Sequence, residues 1–386
     1  MKKVNSLLIA TLFALAGCGD SGPPTENLIT VDVTEKYPTK ELILQDFMDV
    51  EYIPLETTDD FLCMGSLWGV GKNLIVATNF NQDGTIFLFD RKGKALRKIN
   101  RKGEGVEEYV SNTWVLLDDE KGELFVNSGF EKKIYVYDLK GNFKRVLSTP
   151  KDLDLSLYQM YNFDSDNLLC NNQSLLKETG QSFILLSKQD GSVTREITIP
   201  FEEKKSLYVK VDDKNVEGGA IYYVPQSQHP IVPYLDEYIL AEFSADTLYQ
   251  YSADHTLKPL IVRTPSIQSM NPEIFLLPSL FTDRYYFMVS IEEEINFSTT
   301  KIMYDKQDKK LYRFHAYNGD YTYKEEAYLN SRRPINGEIP SWQYLEAPDL
   351  VNYYKKGWLK GRLKEIASQM TEDDNPVIML MKHKQK

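Results

Sequence analysis

The chain has 386 residues, 42% hydrophobic and 26% charged, a balance ordinary for a folded globular protein, and beyond its first residues no apolar run approaches membrane-spanning length. Its formal net charge of −11 argues against a nucleic-acid partner, because phosphate binding requires a basic surface.

The first residues read as a targeting segment, to be set apart from the fold. Lys2 and Lys3 precede an apolar run, Leu7 to Ala16, interrupted only by Thr11 and too short to span a bilayer. The run ends in Leu15-Ala16-Gly17-Cys18, which resembles the lipobox of bacterial lipoproteins. That resemblance implies cleavage before Cys18, lipid on its thiol, and membrane attachment through that lipid. Residues 1–17 are then the signal peptide, and 18–27, polar and rich in Gly and Pro, a flexible tether. Cleavage removes two of the 45 basic residues and none of the 56 acidic ones, taking the charge from −11 to −13. The protein is expected in the cell envelope, lipid-anchored on the periplasmic or surface face.

Residues 28–386 carry β patterning. Leu28–Val33 and Met48–Leu55 alternate apolar and polar side chains and are expected to complete a blade supplied from the other end of the chain. A meander follows, with Leu74–Ala77, Ile86–Phe89 and the turn Asp90–Gly93. It recurs in Glu123–Leu147 as Leu124–Asn127, Lys133–Tyr137 and Phe143–Leu147, with a second turn at Asp138–Gly141. Placing Gly93, Gly141, Gly191, His255 and Asp308 at equivalent positions gives spacings of 48, 50, 64 and 53 residues. A meander repeating at this period is the signature of a β-propeller. Asn167–Cys170, Tyr238–Ala241 and Tyr285–Val289 are expected as inner strands. The long interval holds an insertion, Phe201 to Tyr234, that reads as a loop over one face. Pro348–Tyr354 and the spacing of Leu363, Ile366, Ala367 and Met370 predict short helices. Asn375-Pro376 then precedes Val377–Met381, a run of strand length. Five units and a lone strand leave open sheet edges. Pairing the last strand with one from residues 28–55 closes a sixth blade, so an all-β, six-bladed propeller with a short helical segment near the C-terminus is expected.

These features together resemble a family of six-bladed β-propeller lipoproteins abundant in Bacteroidetes, with an NHL-like architecture. The resemblance is carried by the Cys18 box, Val50-Glu51-Tyr52-Ile53-Pro54-Leu55-Glu56-Thr57, Ile86-Phe87-Leu88-Phe89-Asp90, Arg101-Lys102-Gly103-Glu104-Gly105 and Asp373-Asp374-Asn375-Pro376-Val377. The Gly103/Gly105 loop lacks the Gly-Lys-Ser/Thr of a phosphate loop and reads as a tight link between blades.

No catalytic motif stands out. The four His lack metal-ligand spacing, no Gly-x-Ser-x-Gly elbow occurs, and no cofactor is expected. Asp118-Asp119, Asp164/Asp166, Asp212-Asp213 and Glu292–Glu294 read as solvated turns. Cys63 and Cys170, outside any Cys-x-x-Cys pair, read as small core residues. Trp68, Trp114, Trp342 and Trp358 could stack on sugars or peptides, and Trp342 with Arg332 is the candidate ligand pair. The expected role is a binding module for a glycan, peptide or partner protein. The alternative is a propeller enzyme, a lyase or hydrolase, with its site at the central mouth.

Overall fold

The computed structural model describes residues 28–384 apart from 81–82, 149–158, 173–181, 217–218, 226–228 and 330–332. Cys18, Arg332 and the 1–27 leader and tether lie outside the described residues.

The Asp-x-x-Gly hairpins generate the repeat. Asp90 Oδ1 accepts from the backbone N–H of Lys92 at 2.7 Å and Lys94 at 2.9 Å, and Asp138 Oδ1 does the same for Lys140 and Asn142. Gly93 and Gly141 close these turns, and Gly191 the equivalent turn capped by Ser187, with φ near +85°, where a side chain is strained. Where glycine is lost, His255 (φ 66°) and Lys309 (φ 53°) adopt the same left-handed backbone. The fifth pivot is thus Lys309, one residue beyond the Asp308 expected from spacing.

Six sheets surround one axis. Blade 1 comprises Gly65–Val70, Leu74–Asn79, Thr85–Asp90 and Ala95–Asn100. Blade 2 comprises Trp114–Asp118, Glu123–Ser128, Lys133–Asp138 and Phe143–Ser148. Blade 3 comprises Met160–Asn162, Asn167–Asn171, Phe183–Ser187 and Val193–Ile197. Blade 4 runs from Ile231–Tyr234 through Glu237–Ala241 and Thr247–Tyr251 to Leu257–Thr264. Blade 5 runs from Ile274–Phe281 through Tyr285–Glu292 and Thr299–Asp305 to Lys310–Asn318. The strands expected as inner ones, such as Asn167–Asn171 and Tyr285–Glu292, are the second strands of their blades. Another apolar strand precedes each and lines the axis, and being largely buried on both sides it shows no clean alternation.

Blade 6 is assembled from both ends of the chain. Val377–His383 pairs antiparallel with Ser341–Leu345 on one side and Met48–Pro54 on the other. Gly93 lies against Ile53 and Pro54 as Gly141 lies against Ile99 and Gly191 against Leu147, so Met48–Pro54 takes the outermost place in its blade. Val377 to Met381 are all 1% exposed or less. Asn375 seals the junction: its Oδ1 accepts from Cys63 N–H at 2.8 Å, and its Nδ2 donates to the carbonyls of Glu56 and Phe61.

The other N-terminal strands behave differently from expectation. Ile29–Asp32 adds parallel to the outer edge of blade 4 and Thr39–Ile43 parallel to that of blade 5. They cover sheet edges that would otherwise present unpaired backbone groups. The 201–234 insertion is also more ordered than a loop. It holds a hairpin, Val209–Asp212 with Ala220–Tyr223, and its last residues form the innermost strand of blade 4. Helices Ala347–Lys355 and Gly361–Ala367 bury Leu350, Leu363 and Ile366 in the core cluster shared with Phe47, Tyr285 and Phe287. Cys63 and Cys170 are free and buried, and burial pushes the Cys63 thiol up to about 12.

Two acidic turns expected in solvent are structural. Asp118 is buried and forms a 2.8 Å ion pair with buried Lys188, joining blades 2 and 3. Glu293 is pushed up to about 7 by burial and by its hydrogen bond to Glu273.

Candidate functional site

The innermost position of blade 6 holds no regular strand. The irregular segment from Arg333 to Ile339 fills it and runs alongside the first strand of blade 1. Arg333 Nη2 donates to Leu67 O at 2.8 Å, and Asn336 Nδ2 to Val70 O at 3.4 Å. Gly337 reaches blade 4, where Leu235 N–H donates to its carbonyl oxygen at 3.1 Å. Asn336 Oδ1 accepts from the backbone of Glu338 and Ile339, which fixes the turn.

This path places the Arg333 side chain on the axis. Its Cζ lies 3.8 Å from the ring centroid of Trp68 and 4.5 Å from that of Trp114, so two indoles wall the guanidinium. The rings sit edge-to-face, 5.3 Å apart, and Trp114 continues to Tyr161 at 6.1 Å. Each wall is anchored: Trp68 Nε1 donates to Thr78 Oγ1 at 2.7 Å and Trp114 Nε1 to Met160 O at 3.1 Å. The strand register slips between Leu67 and Gly69, a bulge that re-aims Trp68. Tyr161 Oη donates to Pro334 O at 3.4 Å, tying blade 3 to the same segment.

Blade 4 contributes His229, 8% exposed, beside Gln159 of blade 3. Gln159 Oε1 accepts from Ile231 N–H, so its Nε2 donates to His229 Nδ1 at 2.8 Å. That assignment leaves the neutral imidazole proton on Nε2, a buried donor with no acceptor among the described residues. Burial, then the Arg333 charge, pushes His229 down to about 4. Burial likewise lowers Arg333 to about 9, which still leaves it charged at neutral pH. Among the described residues no carboxylate pairs with that guanidinium.

The residues singled out by sequence fall apart here. Trp342 is 2% exposed and shares a core cluster with Ile335, Ile339 and Ile378. Its Nε1 donates to Arg333 O at 3.0 Å, so it positions the segment that carries Arg333. Trp358 packs on Tyr323 and Tyr353. His255 and Tyr251 share a hydrogen bond in a hairpin, away from the axis. Among the described residues no group of His, Cys, Asp and Glu could hold a metal ion. Sequence reasoning missed Arg333, His229 and Gln159. A usable signal existed for the walls: Trp68 and Trp114 are 46 residues apart, close to one blade repeat, which puts them at equivalent radial positions.

Known proteins give the fold a context. A Bacteroides fragilis protein described as exported is similar at 15% identity and TM-score 0.61, covering 93% of this chain and 100% of its own. A member of the DUF4221 family from Bacteroides vulgatus aligns at 10% identity and TM-score 0.43, covering 88% of this chain and 98% of its own. Virginiamycin B lyase from Staphylococcus aureus aligns at 11% identity and TM-score 0.34, covering 66% and 88%. No curated protein matches the sequence. The model of the domain of unknown function DUF4934 matches residues 28–382, the whole propeller, and the chain belongs to that family.

Proposed function

We propose that this protein is an envelope-anchored lipoprotein, held by lipid on Cys18, that works as a binding module for a glycan, peptide or partner protein. Its ligand meets the propeller axis at Arg333. The single observation that carries this reading is a guanidinium held in the corner formed by Trp68 and Trp114 with no carboxylate partner among the described residues. A desolvated cation without a counter-charge is costly, and a ligand that supplies the missing acceptor recovers that cost. The exported description of the Bacteroides fragilis neighbour supports an extracytoplasmic location, as does the leader-like start of the chain. Because Ile29–Asp32 runs parallel to Leu257–Thr264, the chain arrives from the hairpin-turn face of blade 4. The opposite face, where His229 precedes the innermost strand, would then point away from the membrane.

A propeller enzyme at the same mouth is the second reading, and the perturbed His229 and Arg333 are what favour it. Against it, the basic lone pair of His229 is already occupied by Gln159, so the ring offers a donor and not a base. The test is purification from the native envelope with bound molecules identified by mass spectrometry, comparing the parent with Arg333→Gln. A molecule retained by the parent and lost in a variant of unchanged melting temperature supports the reading. Identical retention overturns it, and turnover abolished by His229→Ala promotes the enzyme.

A further inference from the structure

Resting on the reading of the axis as a binding site, we infer that the group recognised there is a carboxylate. Three observations converge on this class. The first is donor geometry. Arg333 spends Nη2 on Leu67 O, while Nε and Nη1 have no acceptor among the described residues and are not among the sealed polar atoms. Nη2 carries two protons, one on the edge shared with Nε and one on the edge shared with Nη1, and Leu67 O takes a single one of them, so the other edge of the planar fork keeps both its donors; a carboxylate meets such an edge with two parallel hydrogen bonds.

The second is charge. His229 is neutral, with its proton on Nε2, so the cluster carries the single positive charge of Arg333. A monoanion neutralises it. A phosphate monoester brings about −1.5 to −2 and would leave surplus negative charge beside a buried neutral ring. The chain's net charge of −11 adds a further penalty for a dianion.

The third is shape. Trp68, Trp114 and Tyr161 form an edge-to-face series beside the guanidinium, a wall suited to the flat or apolar face of whatever bears the acid. A peptide C-terminus and a uronic acid both present this chemistry, and probes can separate them.

The experiment uses the mature chain labelled with nitrogen-15 and follows the indole N–H signals of Trp68 and Trp114, with Trp342 and Trp358 as internal references. The peptide arm is N-acetyl-phenylalanyl-glycine and its C-terminal amide. The sugar arm is glucuronate and glucose, and inorganic phosphate is titrated alongside. The acid member of at least one arm should shift Trp68 and Trp114 while its uncharged partner does not. Arg333→Gln should weaken that acid at least tenfold, and Arg333→Lys, which keeps the charge and loses the fork, should weaken it less. Binding of phosphate more tightly than either acid would overturn the carboxylate assignment, as would silence from every probe. Equal shifts from acid and amide would remove the carboxylate yet leave the binding site standing. The site itself falls only if envelope capture by Arg333→Gln is also unchanged.

Discussion

Removing residues 376–386 should destroy the closure of the ring. The deleted strand is the middle of blade 6, bonded on one face of its ladder to Ser341–Leu345 and on the other to Met48–Pro54. Five consecutive side chains, Val377, Ile378, Met379, Leu380 and Met381, go from at most 1% exposed to absent. Burial of one such side chain contributes roughly 1.5–3 kcal/mol, so five contribute on the order of 7–15 kcal/mol before any cavity term. A whole domain is stable by only about 5–15 kcal/mol, so the loss is comparable to the total. The two strands left behind become exposed edges, which adds a route to aggregation. Thermal melting by circular dichroism and size-exclusion chromatography of the truncated chain measure both effects. A truncated protein that stays monomeric and melts within a few degrees of the parent would show that the other five blades hold the ring without this strand.

Asn375→Ala tests the seal at the same junction. It strands the Cys63 N–H and the carbonyls of Glu56 and Phe61, so a loss of about 2–4 kcal/mol is expected in urea denaturation, and a change below 0.5 kcal/mol would refute the role. Glu123 gives a pH dependence with a definite sign. The bidentate Arg145 pair, both bonds at 2.8 Å, holds its carboxyl down at about 2 against the usual 4.5. A depressed folded value means the stabilisation is present above pH 4.5 and is lost as pH falls through 2. Its size is about 3 kcal/mol, and Glu123→Gln should flatten the decline in that window.

Much of the architecture is written locally. An Asp-x-x-Gly turn fixes its own backbone through hydrogen bonds within five residues, so Asp90–Gly93 and Asp138–Gly141 betray the blades without any distant partner. The closing strand was legible too, because Val377–Met381 is apolar on both faces and an open ring cannot leave it exposed. The innermost strands were not. Met160–Asn162 and Ile231–Tyr234 are short and buried on every side, so they carry neither alternation nor a turn signature.

What the sequence by itself determined is the repeat, the six-fold count and the joining of the two ends, since each follows from turn chemistry, periodicity or the need to cover sheet edges. Only the tertiary structure decided the site. Arg333, Trp68, Trp114, Tyr161 and His229 come from five places along the chain, and none has a local partner that would mark it. They meet because a propeller points the start of every blade at one axis. A ring of loosely related repeats brings distant residues within 4 Å of one another with no sequence spacing to record it. The same closure makes Trp342 a buried brace for Arg333, because the blade that encloses it is built from strands more than 300 residues apart.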